Sequence, residues 1–310
     1  MLQALTRSGW MAIAVAPGHL HAAQVVRPAG KRPLLAIRRR FERAGSDDVD
    51  DLADVRRALD LQRLRCTTSV DSSAYRILQV NAPAVAAAEM NAALRWSVKD
   101  ALDFPAEDAI VDSLAIPQGG ASAGRAPLVL AIAARRERVA ARVRTFQRAR
   151  VPLAAIDIAE TAQRNVAALF EQPGRGLAFL AFGAASGLLT ITMNGELYAL
   201  RAIDVKAAAL ADRGDGESRR QLHDRIALEV QRSLDNFDRL FSQVVLDRLL
   251  VAPHPGADVL VTSLRENLAL PIGLADLEGV LDVDTRAAFT SGAEQAEWLH
   301  AIGLALRDER

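Results

Sequence analysis

Two stretches of the sequence follow one plan of three short strands, and this duplication limits the fold more than any other feature. The first stretch runs from residue 11 to 40 and the second from 177 to 203. Pairs such as Pro17-Gly18 and Asn194-Gly195 supply the fixed and the positive φ angles that tight turns need. The order of strands and turns is repeated, although the residues themselves are not conserved between the two stretches. The predicted strands are 11–16, 20–26 and 34–40, then 177–182, 188–193 and 196–203.

Helical patterns follow each meander, and strands alternate with helices between them. Apolar residues at steps of three and four predict one long amphipathic helix around 222–241. This alternation predicts a mixed α/β fold. It also predicts a first domain over residues 1–160, with an insert at about 75–152, and a second domain over 161–310. The other predicted helices are 83–102, 135–150, 258–270 and 293–307, and the other strands are 75–80, 110–116, 128–133 and 249–251.

Charge and cysteine content exclude several classes of protein. The 310 residues carry 38 basic and 38 acidic side chains, and this balance argues against a dedicated nucleic-acid-binding protein. A single cysteine, Cys66, permits neither a disulfide framework nor a four-thiolate metal site.

The uncharged run 176–195 is interrupted by glycines and by a turn signal, so we expect two strands there and no transmembrane helix. The first ten residues lack the apolar core of a secretory signal.

Two short motifs carry potential chemistry. The run GASAG at 120–124 matches the G-x-S-x-G nucleophile pattern, but the prolines at 117 and 127 predict a loop instead of the strand and helix that the motif requires. His19 and His21 alternate on a predicted strand, so both point to one face as a metal pair would. No carboxylate or cysteine lies nearby in the sequence to complete that site, and ordinary strand surface is the simpler interpretation.

One predicted helix is strongly basic. Arginine occupies seven positions between residues 135 and 150. A solvated helix face is the usual meaning of such a run, and contact with anionic lipid headgroups or an acidic partner is the alternative.

Several runs of sequence resemble one known family. They are ALRWSVK at 93–99, LDFPAEDA at 102–109, AIDIAE at 155–160, SLDNF at 233–237 and AIGLALR at 301–307. With the duplicated meander, these runs resemble the PilM-type inner-membrane assembly proteins of type IV pili, in particular the MshI-like branch from MSHA pilus systems. The resemblance implies the actin-like ATPase superfamily. The expected fold is then two ribonuclease-H-like domains with a small α+β insert in the first.

The chain departs from that family at the positions that hold nucleotide. ATP-binding members carry an Asp-Ile-Gly turn in each half, whose carboxylates position magnesium. Here the turns are Ala14-Val15-Ala16 and Ala181-Phe182-Gly183, and the adenosine loop is APHPGA at 252–257. We therefore expect a pseudo-ATPase with no catalytic residues, no metal and no required cofactor. Weak ATP binding through Gly18, Gly183 or Gly256, and an ATPase with residual activity, are the alternatives.

The family also implies a partner and a location. Such proteins hold the cytoplasmic tail of a PilN-like bitopic membrane protein, so the chain is expected to be cytoplasmic and peripheral to the inner membrane. A tail of this kind fits an apolar groove between the insert and the first domain. Trp96 falls off the apolar stripe of the helix at 83–102, and Phe104 follows that helix. Both are predicted partner contacts because aromatic side chains often anchor interfaces, and the alternative is that both rings cap a core. The sequence leaves self-association open.

Overall fold

The computed structural model describes residues 9–43, 48–117, 126–211 and 216–308. The serine motif at 120–124 lies outside these residues. The strands of the described part are β1 (Trp10–Ala16), β2 (His19–Val26), β3 (Leu34–Glu42), β4 (Arg65–Ser69), β5 (Tyr75–Asn81), β6 (Ala109–Ala115), β7 (Leu128–Arg135), β8 (Leu153–Asp157), β9 (Gly176–Phe182), β10 (Gly187–Met193), β11 (Glu196–Ile203), β12 (Leu246–Val251), β13 (Ile272–Leu274) and β14 (Asp282–Val283). The α-helices of the same part are α1 (Asp48–Leu59), α2 (Met90–Ser97), α3 (Arg136–Arg148), α4 (Ala159–Ala167), α5 (Ala207–Ala211), α6 (Gly216–Leu240), α7 (Ala257–Asn267) and α8 (Gly292–Ala305).

The first meander forms the centre of a six-stranded sheet. Strands β1, β2 and β3 pair in antiparallel order, while β4 lies parallel to β1 and β8 parallel to β4. The strand order is β14-β3-β2-β1-β4-β8. Gly18 turns β1 into β2 with a φ of 78°, which glycine adopts without steric cost. The predicted strands of the first meander are confirmed.

The second meander repeats this arrangement. Strands β9, β10 and β11 are antiparallel, and β12 lies parallel to β9, which gives the order β11-β10-β9-β12-β13. Asn194 and Gly195 both have positive φ, as the predicted hairpin turn requires. The long helix α6 covers this sheet and buries Ile226, Val230 and Phe237, which belong to the predicted apolar stripe.

The insert is a three-stranded antiparallel sheet of order β5-β7-β6 with α2 packed on one face. The predicted helix at 83–102 is shorter in the structure, because only Met90–Ser97 is α-helical. Before it, Ala86 is extended and a single 3₁₀ turn follows; after it, the chain tightens into another 3₁₀ turn at Lys99–Ala101. The apolar stripe predicted for this helix, Met90, Leu94, Val98 and Leu102, is nevertheless confirmed, because all four side chains pack in the core of the insert.

Helices α4 and α8 join the two large sheets into one core. They cross so closely that a Cβ at Gly303 would lie 2.3 Å from the carbonyl oxygen of Ala162, and only glycine fits there. The end of the chain returns to the first sheet, because β14 pairs with β3 and α8 packs on β1 and β2. Strand β14 and helix α8 therefore contact the first sheet, although both fall within the range 161–310 predicted for the second domain.

The described residues contain no helix that is both long enough and apolar enough to cross a membrane. The uncharged run at 176–195 forms β9 and β10 with a bend between them, as the sequence predicts.

Candidate functional site

The turn between β1 and β2 is held by an arginine. The backbone N–H of Arg43 donates to the carbonyl oxygen of Gly18 at 3.0 Å. Nη1 of the Arg43 side chain lies 3.4 Å from the carbonyl oxygen of Ala16. The same guanidinium forms ion pairs with Asp48 and Asp51 at the start of α1. Gly18 is exposed, and a Cβ there would meet nothing within 4 Å. The positive charge beside this turn is thus already neutralised by two carboxylates.

The corresponding turn in the second sheet uses its own backbone. The N–H of Gly183 donates to the carbonyl oxygen of Ser186 at 2.9 Å, and the Gly183 carbonyl accepts from Ala207 at the start of α5. Gly256 lies near the other end of α5, where a Cβ added to it would be 3.0 Å from the carbonyl oxygen of Leu210. The fold therefore brings Gly183 and Gly256 around one short helix, while Gly18 belongs to the other sheet.

The two positions at which the sequence resemblance would place aspartates are buried and apolar. Ala14 and Ala181 are both buried, and they belong to one hydrophobic cluster with residues of α4 and α8. Neither position can offer a carboxylate to a metal ion.

A buried histidine occupies the loop that precedes α7. Nδ1 of His254 donates to the carbonyl oxygen of Pro255 at 2.9 Å, and the ring packs edge-on against Phe182 at 5.4 Å. Its Nε2 has no hydrogen-bond partner among the described residues. Burial lowers the pKa of this imidazole, so it is neutral at pH 7 and fills space between the loop and β9.

A polar cluster lies where β4 and β8 end. Asp157 is buried and accepts hydrogen bonds from Thr67, Thr161 and Arg307, with oxygen–donor distances of 3.3, 3.2 and 2.6 Å. Nearby, the hydroxyl of Tyr75 donates to Glu160 at 2.7 Å, and burial raises the pKa of that carboxyl group. The guanidinium of Arg307 and the neighbouring threonine hydroxyls therefore hold the Asp157 carboxylate within the fold.

An apolar groove of about 370 Å³ lies between the insert and the second domain. It differs in place from the groove expected between the insert and the first domain. Ala199, Leu200 and Arg201 all line it although neighbouring side chains of a strand point to opposite faces, so the groove follows the edge of β11. The remaining lining comes from the insert strands β5 and β7, from β10, and from the end of α6, including Ile77, Leu130, Leu189, Ile191, Phe237 and Leu240.

The groove is bounded by strands with unpaired edges. Among the described residues β11 pairs only with β10, and β5 only with β7. Its rim is charged, because Arg201 and Arg232 lie 3.4 Å and 3.8 Å from Glu229. An apolar floor, a charged rim and exposed strand edges suit an extended peptide segment.

The predicted aromatic contacts lie elsewhere. Trp96 is 59% exposed on α2, which packs on the insert face that carries Leu78 and Val80, opposite the face that carries Ile77. Phe104 is half-buried, and the guanidinium of Arg135 lies 4.4 Å from its ring centre. The structure therefore does not bring Trp96 and Phe104 to the groove. The only sequence signal for the groove was the alternation of side chains between the two faces of β5 and of β11.

Comparison with solved structures shows the fold. No protein-family model and no curated protein sequence matches the chain. A solved PilM–PilN type IV pilus biogenesis complex contains a chain that is 18% identical, with a TM-score of 0.71 over 97% of this chain and 98% of that one. The fold is actin-like. A protein of actin-like ATPase fold from Bacteroides thetaiotaomicron has a TM-score of 0.49 at 8% identity, covering 89% of this chain and 93% of its own. The cytoplasmic domain of EpsL, an inner-membrane component of the type II secretion system of Vibrio cholerae, has 0.45 at 10% identity, covering 94% of each chain.

Proposed function

We propose that this protein is a PilM-like scaffold of a type IV pilus assembly platform, which holds the cytoplasmic tail of a PilN-like membrane protein. Two observations support the proposal. The fold matches that of one chain from a PilM–PilN complex, over 97% of this chain and 98% of that chain. The groove beside β11 offers an apolar, concave surface of the size that a few side chains of an extended tail would fill. The sequence runs described above favour the MshI-like branch of MSHA pilus systems.

The groove favours one mode of binding. A tail that pairs with the edge of β11 would satisfy backbone groups that otherwise face solvent. Alternate side chains of that added strand would then point toward Ile77, Leu130 and Phe237. Arg201 and Arg232 at the rim would favour a tail that carries an acidic residue beside its apolar ones. Such a peptide gains affinity from the backbone and specificity from the pockets.

We also propose that the protein does not transfer phosphoryl groups. Phosphoryl transfer depends on carboxylates that hold magnesium and on backbone amides aimed at phosphate. Ala14 and Ala181 replace the carboxylates, and the amide of Gly183 is bonded to Ser186. These residues do not fit a metal-bound triphosphate, so a scaffold is favoured over an ATPase with residual activity.

The location follows from the partner. A protein held by the tail of an inner-membrane protein would be cytoplasmic and peripheral to that membrane. Arg136, Arg138, Arg144 and Arg148 are exposed on α3 and would add a weak attraction to anionic headgroups. Binding to anionic vesicles that disappears above about 0.5 M salt would support this second contact.

The proposal is tested by binding the tail peptide of a PilN-like protein to the purified chain and to two matched variants. Leu240 lines the groove and Leu228 does not, although both lie on α6 and are 49% and 50% exposed. We expect Leu240→Asp to weaken binding at least tenfold, because it places a charge at an apolar contact. Leu228→Asp should leave the affinity unchanged. Equal affinities for both variants, or no binding by the wild-type chain, would contradict the proposed function.

A further inference from the structure

Three potential metal ligands meet at the junction of the first hairpin and the last helix. His19 and His21 lie at the first and third positions of β2, so both side chains point to one face of the sheet. Helix α8 packs on β2 and supplies Glu297. Nε2 of His21 lies 2.9 Å from Oε1 of Glu297, and Nε2 of His19 lies 3.8 Å from the same oxygen. The fold thus provides the carboxylate that the neighbouring sequence lacks.

The spacing of these atoms suits a small divalent ion. Zinc binds histidine nitrogen and carboxylate oxygen at about 2.0–2.2 Å, and tetrahedral angles then place ligand atoms about 3.4 Å apart. The two nitrogen–oxygen distances of 2.9 and 3.8 Å lie on either side of that separation. One ligand atom from each of the three residues lies within 4.8 Å of the other two, so small side-chain rotations are enough to surround an ion.

The surroundings hold the ligands in place and leave access to solvent. The ring of His21 is buried and stacks on Trp298 at a centroid distance of 4.2 Å. The side chain of Glu297 is 35% exposed to solvent.

We propose that His19, His21 and Glu297 form a binding site for a divalent transition metal ion of the zinc class, with solvent at the fourth position. Two imidazoles and one carboxylate are a ligand set that zinc accepts with an open position. The bound ion would tie the first hairpin to the C-terminal helix. Nε2 of His21 would give up its hydrogen bond to Glu297, and the proton on that imidazole would move to Nδ1.

The guanidinium of Arg40 lies beside the proposed site and gives the proposal a test of its own. Its Nη1 lies 2.7 Å from Oε1 of Glu297, the oxygen that would bind the ion, and its Nε lies 2.8 Å from Glu42. The guanidinium thus competes with the metal for one oxygen and repels its charge. Because the side chain is 45% exposed, it can move aside toward Glu42. Removing the charge of Arg40 should therefore strengthen metal binding. If Arg40 and Glu297 formed only a structural ion pair, removing the charge would not have this effect.

The test is a titration of the full-length, chelator-treated protein with Zn²⁺ against a chromophoric chelator, repeated with Co²⁺ to record its visible spectrum. We expect one ion per chain and a tetrahedral or five-coordinate Co²⁺ spectrum. His19→Gln and Glu297→Gln should each weaken binding at least tenfold. Arg40→Gln should strengthen it severalfold. Glu294→Gln is the matched control, because Glu294 lies one turn earlier on α8 and pairs with Arg38 outside the site.

Circular dichroism and unfolding curves establish that each variant is folded. Zn²⁺ affinity that is the same in folded wild-type, His19→Gln and Glu297→Gln proteins would overturn the proposal. So would Zn²⁺ binding that Glu294→Gln weakens as much as Glu297→Gln, or that Arg40→Gln weakens. The absence of Zn²⁺ binding by the wild-type chain at about 100 μM would also overturn it, since protein sites with three ligands bind zinc much more tightly than that.

Discussion

Nη1 of Arg307 donates a hydrogen bond of 2.6 Å to Oδ1 of Asp157. The pair joins the second residue after the last helix to the end of β8, where the chain leaves the first sheet. Arg27 adds a second tie to this end of the chain, because its Nη2 donates to the carbonyl oxygen of Leu306 at 2.7 Å. The C-terminal helix is therefore fixed to the first sheet at its last turn, although it is 150 residues from Asp157 in the sequence.

The first prediction concerns this ion pair. Arg307→Gln should lower the free energy of unfolding by about 1–3 kcal/mol, because it leaves the buried Asp157 without its cationic partner. The figure lies below that of a fully buried pair since the Arg307 side chain is 34% exposed. Arg57→Gln is the control: Arg57 pairs with Asp54 at the surface, and its loss should cost no more than about 0.5 kcal/mol. Urea unfolding curves measure the stability of both variants. Equal losses of unfolding free energy in the two would contradict a stabilising role for the Arg307–Asp157 pair.

The second prediction concerns the crossing of α4 and α8. Gly303→Ala should destabilise the protein by about 2–3 kcal/mol, because the added Cβ would lie 2.3 Å from a backbone oxygen of α4 and the helices would have to separate. Gly292→Ala, at the start of the same helix, meets nothing closer than 3.8 Å and should change stability by no more than about 0.5 kcal/mol. A Gly303→Ala protein as stable as the wild type would show that the helices do not pack as described.

The third prediction concerns pH. Burial lowers the pKa of His300 to about 4, and Nε2 of the ring lies 2.8 Å from the hydroxyl of Ser69. Because the unfolded chain binds this proton near pH 6.5 and the folded chain only near pH 4, stability should fall as the pH drops from about 6.5 to 4. The full contribution of this group is about 3 kcal/mol. Unfolding free energies at several pH values should decrease less steeply in His300→Gln than in the wild type; parallel curves would contradict the prediction.

Much of the fold was predictable because its signals are local. The hairpin at Asn194-Gly195, the six strands of the two meanders and the apolar stripe of α6 follow from turn chemistry and periodicity. Helix α4 was not predicted, because it is only 9 residues long and its buried apolar residues, such as Ala162 and Val166, are few and small. Its buried Gln163 and Asn165 are instead satisfied by tertiary hydrogen bonds, from Gln163 to Phe179 and from Asn165 to Gly303. Such bonds depend on partners that the local sequence does not reveal.

The candidate sites were less predictable for the same reason. Sequence shows that His19 and His21 share a face, but Glu297 follows 276 residues after His21 and only the packing of α8 brings it there. The groove beside β11 likewise combines the insert with the second domain. By contrast, the alanines at positions 14 and 181 can be read from the sequence itself, so the expectation of a degenerate nucleotide site does not depend on the structure.

The fourth prediction separates the two candidate surfaces for the partner. Trp96 remains a predicted contact on sequence grounds, whereas the geometry favours the groove on the other side of the insert. We expect Trp96→Ala to change tail affinity less than threefold, while Leu240→Asp weakens it at least tenfold. The same tail peptide titration measures both. The reverse result, with Trp96→Ala weak and Leu240→Asp unchanged, would place the tail on α2 and exclude the groove.

The fifth prediction concerns ATP. A ligand present at 100 times its dissociation constant stabilises a folded protein by about 2.7 kcal/mol, which raises the melting temperature by several degrees. Millimolar magnesium-ATP should cause no such shift here, because the turns at Ala14 and Ala181 offer neither carboxylates nor, at Gly183, a free amide. Gly183→Ala provides an internal check. Its Cβ would lie 3.5 Å from the nearest atom, so the variant should fold normally. If the wild type were stabilised by ATP and hydrolysed it at about 1 s⁻¹, and Gly183→Ala abolished both, the glycine would be a phosphate contact and the scaffold proposal would have to include an active nucleotide cycle.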